Sequence, residues 1–225
     1  MALILNIETA TTNCSVSLSK DGETMVLKED NDKSYSHAER LHVYIDDVLN
    51  EAKMSSSDID AIAVSKGPGS YTGLRIGVSA AKGLCFALGK PLISVSTLEA
   101  LAYQIKMDSG VIVSMLDARR MEVYSAIYDS NYTQIRDTEA QILDNTSFSN
   151  YLEKGKVYFI GNGVEKTKSL IDHPNAVFVE DKLPSANEMS RLALKKYKIS
   201  DTEDVAYFEP YYLKDFVALK PKTKS

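Results

Sequence analysis

Four side chains stand where this chain could set charge beside a reacting group: Glu8, Asp117, Arg119 and Glu122. Glu8 and Asp117 each close an apolar run that reads as a strand, a position from which acids often approach ligands. Each could equally be a solvated or capping group, and spacing alone sets no acid–base pair at a known separation. Ser70 invites comparison with a nucleophile, but the G-x-S-x-G elbow needs glycine at 68, where Pro68 stands. The three histidines that could serve as its base are His37, His42 and His173, and Ser70 reads instead as the cap of a helix. His37 and His42 are five residues apart, roughly 140° around a helix at ~100° per residue. Zinc ligands sharing a helix sit four apart on one face. With no Cys or His cluster to complete a site, no metal is expected.

The most unusual segment is Lys66-Gly67-Pro68-Gly69-Ser70-Tyr71-Thr72-Gly73. Its glycines space as G-x-G-x-x-x-G, which is neither the P-loop nor the Rossmann pattern. A glycine loop opening a helix could hold an anion on free backbone N–H groups. The plainer reading, which the residues alone favour, is a tight turn followed by a close-packed helix.

The elements that must position these residues follow from periodicity. Strands are expected at 2–7, around Cys14, Val16 and Leu18, and at 24–28, with Asp21-Gly22 as the turn between the last two. In the second strand the apolar residues alternate with Ser15, Ser17 and Ser19 and so define one face. Ser36 and Glu39 form a capping-box pair for a helix to Ala52, striped by Leu41, Tyr44, Ile45, Val48 and Leu49. A buried strand at 61–65 leads through the glycine loop into a helix ending near Leu88, stopped by Gly89 and Pro91. That helix carries Gly73, Gly77, Ala80, Ala81 and Gly83. A helical glycine costs about 1 kcal/mol against alanine, so close approach by another backbone is expected. A strand at 92–95 and a helix from Ser96 to about Met107 close the first half.

The second half repeats the order: strands at 111–117, 121–128 and 132–142, a helix at 146–153, a strand at 157–160, a helix at 163–171, a strand at 177–180 and a helix at 186–197. Strands first, then alternating helix and strand, in both halves, predicts two α/β lobes. The boundary falls near Lys106 to Gly110, giving lobes of 1–106 and 107–225.

The composition bounds the partners. The 225 residues carry a net charge of −5, with 44% hydrophobic and 25% charged residues. A chain that grips a phosphate backbone alone is usually basic, so strong independent nucleic-acid binding is disfavoured. Cys14 and Cys85 read as core positions and give no disulfide framework, which fits a reducing cytoplasm. No basic leader and no run of ~18 apolar residues is present, so a soluble cytoplasmic chain without a membrane span is expected.

The glycine segment, extended through Leu74-Arg75-Ile76-Gly77, closely resembles the signature of the TsaB (YeaZ) family. Ile4-Leu5-Asn6-Ile7-Glu8-Thr9-Ala10, Ser36-His37-Ala38-Glu39-Arg40-Leu41, Ser96-Thr97-Leu98-Glu99-Ala100-Leu101-Ala102, residues 117–124, Gly161-Asn162-Gly163 and Pro210-Tyr211-Tyr212-Leu213-Lys214 resemble its other motifs in order, across nearly the whole chain. The resemblance implies a two-lobed actin/Hsp70-like ATPase fold of the ribonuclease H-like class. It implies a non-catalytic subunit of the bacterial threonylcarbamoyladenosine-forming complex, which pairs with the TsaD catalytic subunit and activates it. TsaE, a P-loop ATPase, completes that complex, and tRNA is met only through it. The family's first two helices form the pairing surface, here expected to include Leu41, Tyr44, Ile45, Val48, Gly73, Ile76, Gly77, Ala80 and Ala81, with a homodimer through the same helices when the partner is absent. Glu8, Thr9, Lys66, Gly67, Gly69 and Ser70 are the residues that would face a nucleotide. No cofactor of the chain's own is implied, with ATP or ADP placed at a subunit junction. Glu8 stands where many relatives have Asp, and the catalytic subunit's His-x-x-x-His pair is absent. Both departures weigh against independent catalysis. A glycoprotease-like M22-type peptidase and an autonomous nucleotide-binding module are the alternative readings.

Overall fold

The computed structural model describes residues 1–31 and 37–214. The first lobe is a five-stranded mixed sheet of β1 (Leu3–Glu8), β2 (Asn13–Lys20), β3 (Glu23–Asn31), β4 (Ala61–Gly67) and β5 (Leu92–Ser96), in the order β3-β2-β1-β4-β5. β1 runs antiparallel to β2 and parallel to β4. Two helices cover one face: α1 (His37–Ala52) and α2 (Tyr71–Leu88). Strand alternation sends Leu3, Leu5, Ile7, Ile62 and Val64 to that face, where they meet Leu41, Ile45, Val48, Val78 and Ala81 in one buried cluster. α2 stops as the sequence predicts, with Gly89 in the left-handed region at φ 63° and its N–H on the Cys85 carbonyl. The Ser36 cap of α1 lies outside the described residues, as does the lysine-rich tail beyond Lys214.

The second lobe repeats the design. β6 (Val111–Asp117), β7 (Glu122–Tyr128), β8 (Gln134–Ile142), β9 (Val157–Ile160) and β10 (Ala176–Val179) form a sheet of order β10-β9-β6-β7-β8, the same topology as the first. Its helices are one or two turns long: α4 (Ser149–Leu152) and α5 (Val164–Lys168). α3 (Thr97–Ala102), shorter than the expected run to Met107, joins the lobes by packing Leu98, Leu101 and Ala102 against Ile112, Leu116, Ala126 and Tyr128.

The serine face of β2 is buried as well as the apolar one: Ser15, Ser17 and Ser19 are at most 1% exposed. The last helix, α6 (Ala186–Lys198), covers them. Ser17 donates to the Ala186 carbonyl at 2.8 Å, and the Ala186 N–H donates to Ser15 Oγ at 3.0 Å. α6 lays Ala186, Met189, Leu192 and Ala193 on Ala2, Ile4, Ala61, Ala63, Ile93 and Val95. The small residues of β4 let the helix sit close. A split at 106/107 therefore divides the chain but not the packing, because α6 belongs to the first sheet. Residues after α6 also return to that lobe, where the Glu203 N–H bonds the Leu92 carbonyl and the Tyr211 N–H the Lys66 carbonyl.

Candidate functional site

The turn from Glu8 to Thr12, between β1 and β2, ties four elements together. The Glu8 carboxylate accepts the Ala10 N–H at 2.6 Å and the Ser65 hydroxyl of β4 at 2.9 Å. Thr9 donates its hydroxyl to the Gly73 carbonyl of α2 at 2.8 Å. The Ala10 carbonyl accepts the Ser70 N–H at 2.7 Å. His37 Nε2 donates to the Thr11 carbonyl at 2.6 Å, fixing the start of α1. Glu8 is fully buried, and burial pushes its carboxyl up from 4.5 to about 7 against the lowering effect of its hydrogen bonds.

This turn explains the glycines. A Cβ on Gly73 would fall on the Thr9 carbonyl oxygen, one on Gly77 on the Thr9 hydroxyl, and one on Gly69 on the Ala10 carbonyl. Gly67, at φ 109°, lies under the Tyr211 carbonyl. The close backbone approach expected of α2 is therefore made within the chain, by the turn at Thr9. Ser70 caps α2, accepting the Gly73 N–H at 3.3 Å, as its type predicts. Glu8, Thr9, Gly67, Gly69 and Ser70 are thus bonded or pressed against their own chain, and Lys66 is half-buried with its carbonyl on Tyr211.

The apolar stripe of α1 likewise goes inward. Leu41, Ile45 and Val48, with Ala81 of α2, pack on the chain's own sheet, Gly73 and Gly77 lie against Thr9, and Tyr44 is half-buried against the same core. The first sheet takes the single stripe of α1, and Thr9 takes the glycine face of α2. What remains outward is a groove of about 690 Å³ between the two helices. Ala38 and His42 of α1 line it together with Tyr71, Thr72, Arg75, Ile76, Ser79, Ala80, Gly83 and Leu84 of α2. A Cβ on Gly83 would meet nothing within 4 Å, and Phe86 beyond it is 86% exposed. At the other end Arg75 lies over the Tyr71 ring at 4.8 Å, and Tyr71 packs on Tyr212 at 5.1 Å between centroids.

In the second lobe Asp117 is held by Lys166, whose Nζ lies 2.9 Å from Oδ1. The same ammonium donates to the Arg120 and Glu122 carbonyls at 2.7 and 3.1 Å. Glu122 is paired with Lys214, and Arg119 takes φ 70° with its N–H on Asp117 Oδ1. These groups stitch the β6–β7 turn to α5 and the C-terminal segment. His37 is buried and His42 is exposed in the groove, so they share no site. Among the described residues no group of three or more His, Cys, Asp or Glu could hold a metal ion, and no helix is long and apolar enough to cross a membrane.

Residues 31–222 match the family described as "TsaD: tRNA N6-adenosine threonylcarbamoyltransferase". The chain is 32% identical over 225 residues to "tRNA threonylcarbamoyladenosine biosynthesis protein TsaB" of Escherichia coli (strain K12), covering 96% of each chain. The chain belongs to the TsaB (YeaZ) family. The structure of YeaZ from Pseudomonas aeruginosa superposes with a TM-score of 0.83 at 27% identity, covering 95% of this chain and all of that one. The ethanolamine utilization protein EutJ from Carboxydothermus hydrogenoformans, at 10% identity and a TM-score of 0.50 over 84% of this chain and 89% of that one, shares the fold alone. The fold is the two-lobed actin/Hsp70-like ATPase fold.

The groove lies between the two helices that the resemblance names, and its lining overlaps the expected residues only in part. The helices are those expected, but Ala38, His42, Thr72, Arg75, Ser79, Gly83 and Leu84 carry the open face, joined from the expected set by Ile76 and Ala80. Leu74, Val78 and Ala81 of α2 are buried, and Ile76, Ala80 and Leu84 are half-buried at the edge of the first lobe's core, where they line the groove.

Proposed function

We propose that this chain is a non-catalytic subunit of the machinery that makes threonylcarbamoyladenosine in tRNA, pairing with a TsaD-type catalytic subunit through the α1–α2 groove and activating it. The observation that carries this reading is the second apolar face of α2. Its own sheet and the Thr9 turn cover one side, and on the other the half-buried Ile76, Ala80 and Leu84 line the groove beside exposed Gly83, which meets nothing within 4 Å. A helix from a partner laid into this groove would complete a bundle, with Gly83 as the notch for a large side chain. Without the catalytic subunit, the same face pairs with a second copy.

The absence of chemistry in this chain is part of the proposal. Glu8 is sealed, Ser70 caps a helix, and Asp117 and Glu122 are paired with lysines. The N–H of Ser70, which an anion-binding loop would present, is used on Ala10. ATP or ADP is therefore bound at a junction between subunits, with TsaE completing the complex, and tRNA is held by the assembly. The test is reconstitution with the catalytic subunit, TsaE, the adenylate-forming enzyme, threonine, bicarbonate, ATP and tRNA, counting modified adenosine by mass spectrometry. Modification that requires this chain supports the reading. Equal modification without it refutes the reading.

A further inference from the structure

We propose that Glu8 is a proton-controlled latch on the α1–α2 pair: uncharged while the latch is closed, and loosening the first turn of α2 when it ionises. Four observations carry this. Glu8 is fully buried at the end of β1. Its Oε1 has two donors, but its Oε2, buried as well, has no hydrogen-bond partner. A carboxylate left with one oxygen in apolar surroundings is far costlier than the neutral acid. The residues that follow it in the turn hold both helix starts, through Thr9 on Gly73, Ala10 on Ser70 and Thr11 on His37.

The surroundings offer the ionised form little compensation. Among the titratable and charged groups on the packed elements are Cys14 on β2, His37 and Arg40 on α1, Lys66 on β4 and Arg75 on α2. His37 is engaged with the Thr11 carbonyl, and Arg40 is paired with Asp30 on β3. Arg75 lies over Tyr71 at the groove, and half-buried Lys66 is a cation on the strand that supplies Ser65. Desolvation outweighs the effects that hold the acid down, the hydrogen bonds from Ala10 and Ser65 and the weaker pull of the nearby Thr9 backbone. Ionisation therefore favours any rearrangement that brings water or a donor to Oε2. The Gly67–Gly73 loop and the α2 start meet the turn through two hydrogen bonds, Thr9 on Gly73 and Ser70 on Ala10, and these are the contacts such a rearrangement would loosen. The consequence for partner binding rests on the function proposed above, whereas the latch itself is a property of the isolated chain.

Carboxyl-carbon NMR of the isolated, ¹³C-glutamate-labelled protein tests the charge state, with the Glu8→Gln spectrum assigning the resonance. Glu8 should titrate well above the other glutamates. Hydrogen exchange tests the coupling. Between pH 6 and 8, after correction for intrinsic rates, the Gly73 and Leu74 amides should lose at least tenfold in protection relative to the β6 amides, and Glu8→Gln should abolish that loss. Ser65→Ala, which deletes a donor to Oε1, should move the transition to higher pH and keeps the test open if Glu8→Gln fails to fold. A Glu8 carboxyl that titrates with its fellows, or one that titrates high while the Gly73 and Leu74 amides follow β6, overturns the proposal.

Discussion

The Thr9 hydroxyl donates to the Gly73 carbonyl at 2.8 Å, and four residues on, Gly77 leaves that hydroxyl no room for a methyl group. One threonine thereby accounts for two of the three glycines of α2. The third, Gly83, touches nothing. The three positions carry the same residue for different reasons, so their substitutions should differ in sign.

Gly77→Ala and Gly73→Ala should each destabilise the isolated chain by about 1–3 kcal/mol, because the new methyl meets Thr9 in a packed site. Gly83→Ala should stabilise it by up to about 1 kcal/mol, the ordinary helical gain of alanine over glycine. Urea unfolding followed by circular dichroism reads all three. A loss at 83 equal to that at 77 would show that α2 packs against its own chain on both faces.

Stability should fall as pH rises through neutrality. The folded-state carboxyl of Glu8 lies at about 7, above its ordinary 4.5, so the native state binds the extra proton between those values. Stability from this group is complete below about pH 4.5 and is lost as pH approaches and passes 7, by about 3 kcal/mol in all. Denaturant titrations at pH 5 and pH 8 should show that difference in the wild type and not in Glu8→Gln. A wild-type chain equally stable at both pH values would show that Glu8 is ionised in the fold.

Both cysteines should resist alkylation while the chain is folded. Burial pushes the Cys14 thiol up to about 11 and the Cys85 thiol up to about 12, and both are buried free thiols. Since the thiolate is the reacting species, a thiol reagent at pH 8 should modify neither within the time that labels both in urea. Rapid labelling of Cys14 alone would reveal opening of the sheet beside the Glu8 turn.

Lys166→Met should loosen the β6–β7 turn. Its ammonium is shared by the Asp117 carboxylate and two backbone carbonyls and is largely shielded from water. Removing it strips three bonds, and a loss of about 1–3 kcal/mol is expected. Thermal unfolding checks it, and an unchanged midpoint would mean that water replaces the lysine at no cost.

Much of the architecture was legible because local signals agreed. Asp21-Gly22, Gly89 and the Ser70 and Ser96 caps sit where turn and helix chemistry put them, and β6 and β9 begin and end at the expected residues. The burial of the β2 serines was not legible in the sequence. Nothing local announces that α6, some 170 residues away, supplies the partners of Ser15 and Ser17. Close approach was the expected reading of the α2 glycines and holds for Gly73 and Gly77 but not for Gly83, and sequence spacing does not name what approaches. That Thr9 fills the space beside Gly73 and Gly77, and nothing fills it beside Gly83, depends on how a turn folds over a helix, which only coordinates reveal.

The most direct test of the account is a calorimetric titration of the TsaD-type catalytic subunit with this chain and with Gly83→Trp, each first shown to be folded. The account predicts a one-to-one complex for the wild type and at least a tenfold loss of affinity when the notch is filled. Equal affinity for the two proteins would contradict it and move the partner surface away from the α1–α2 groove.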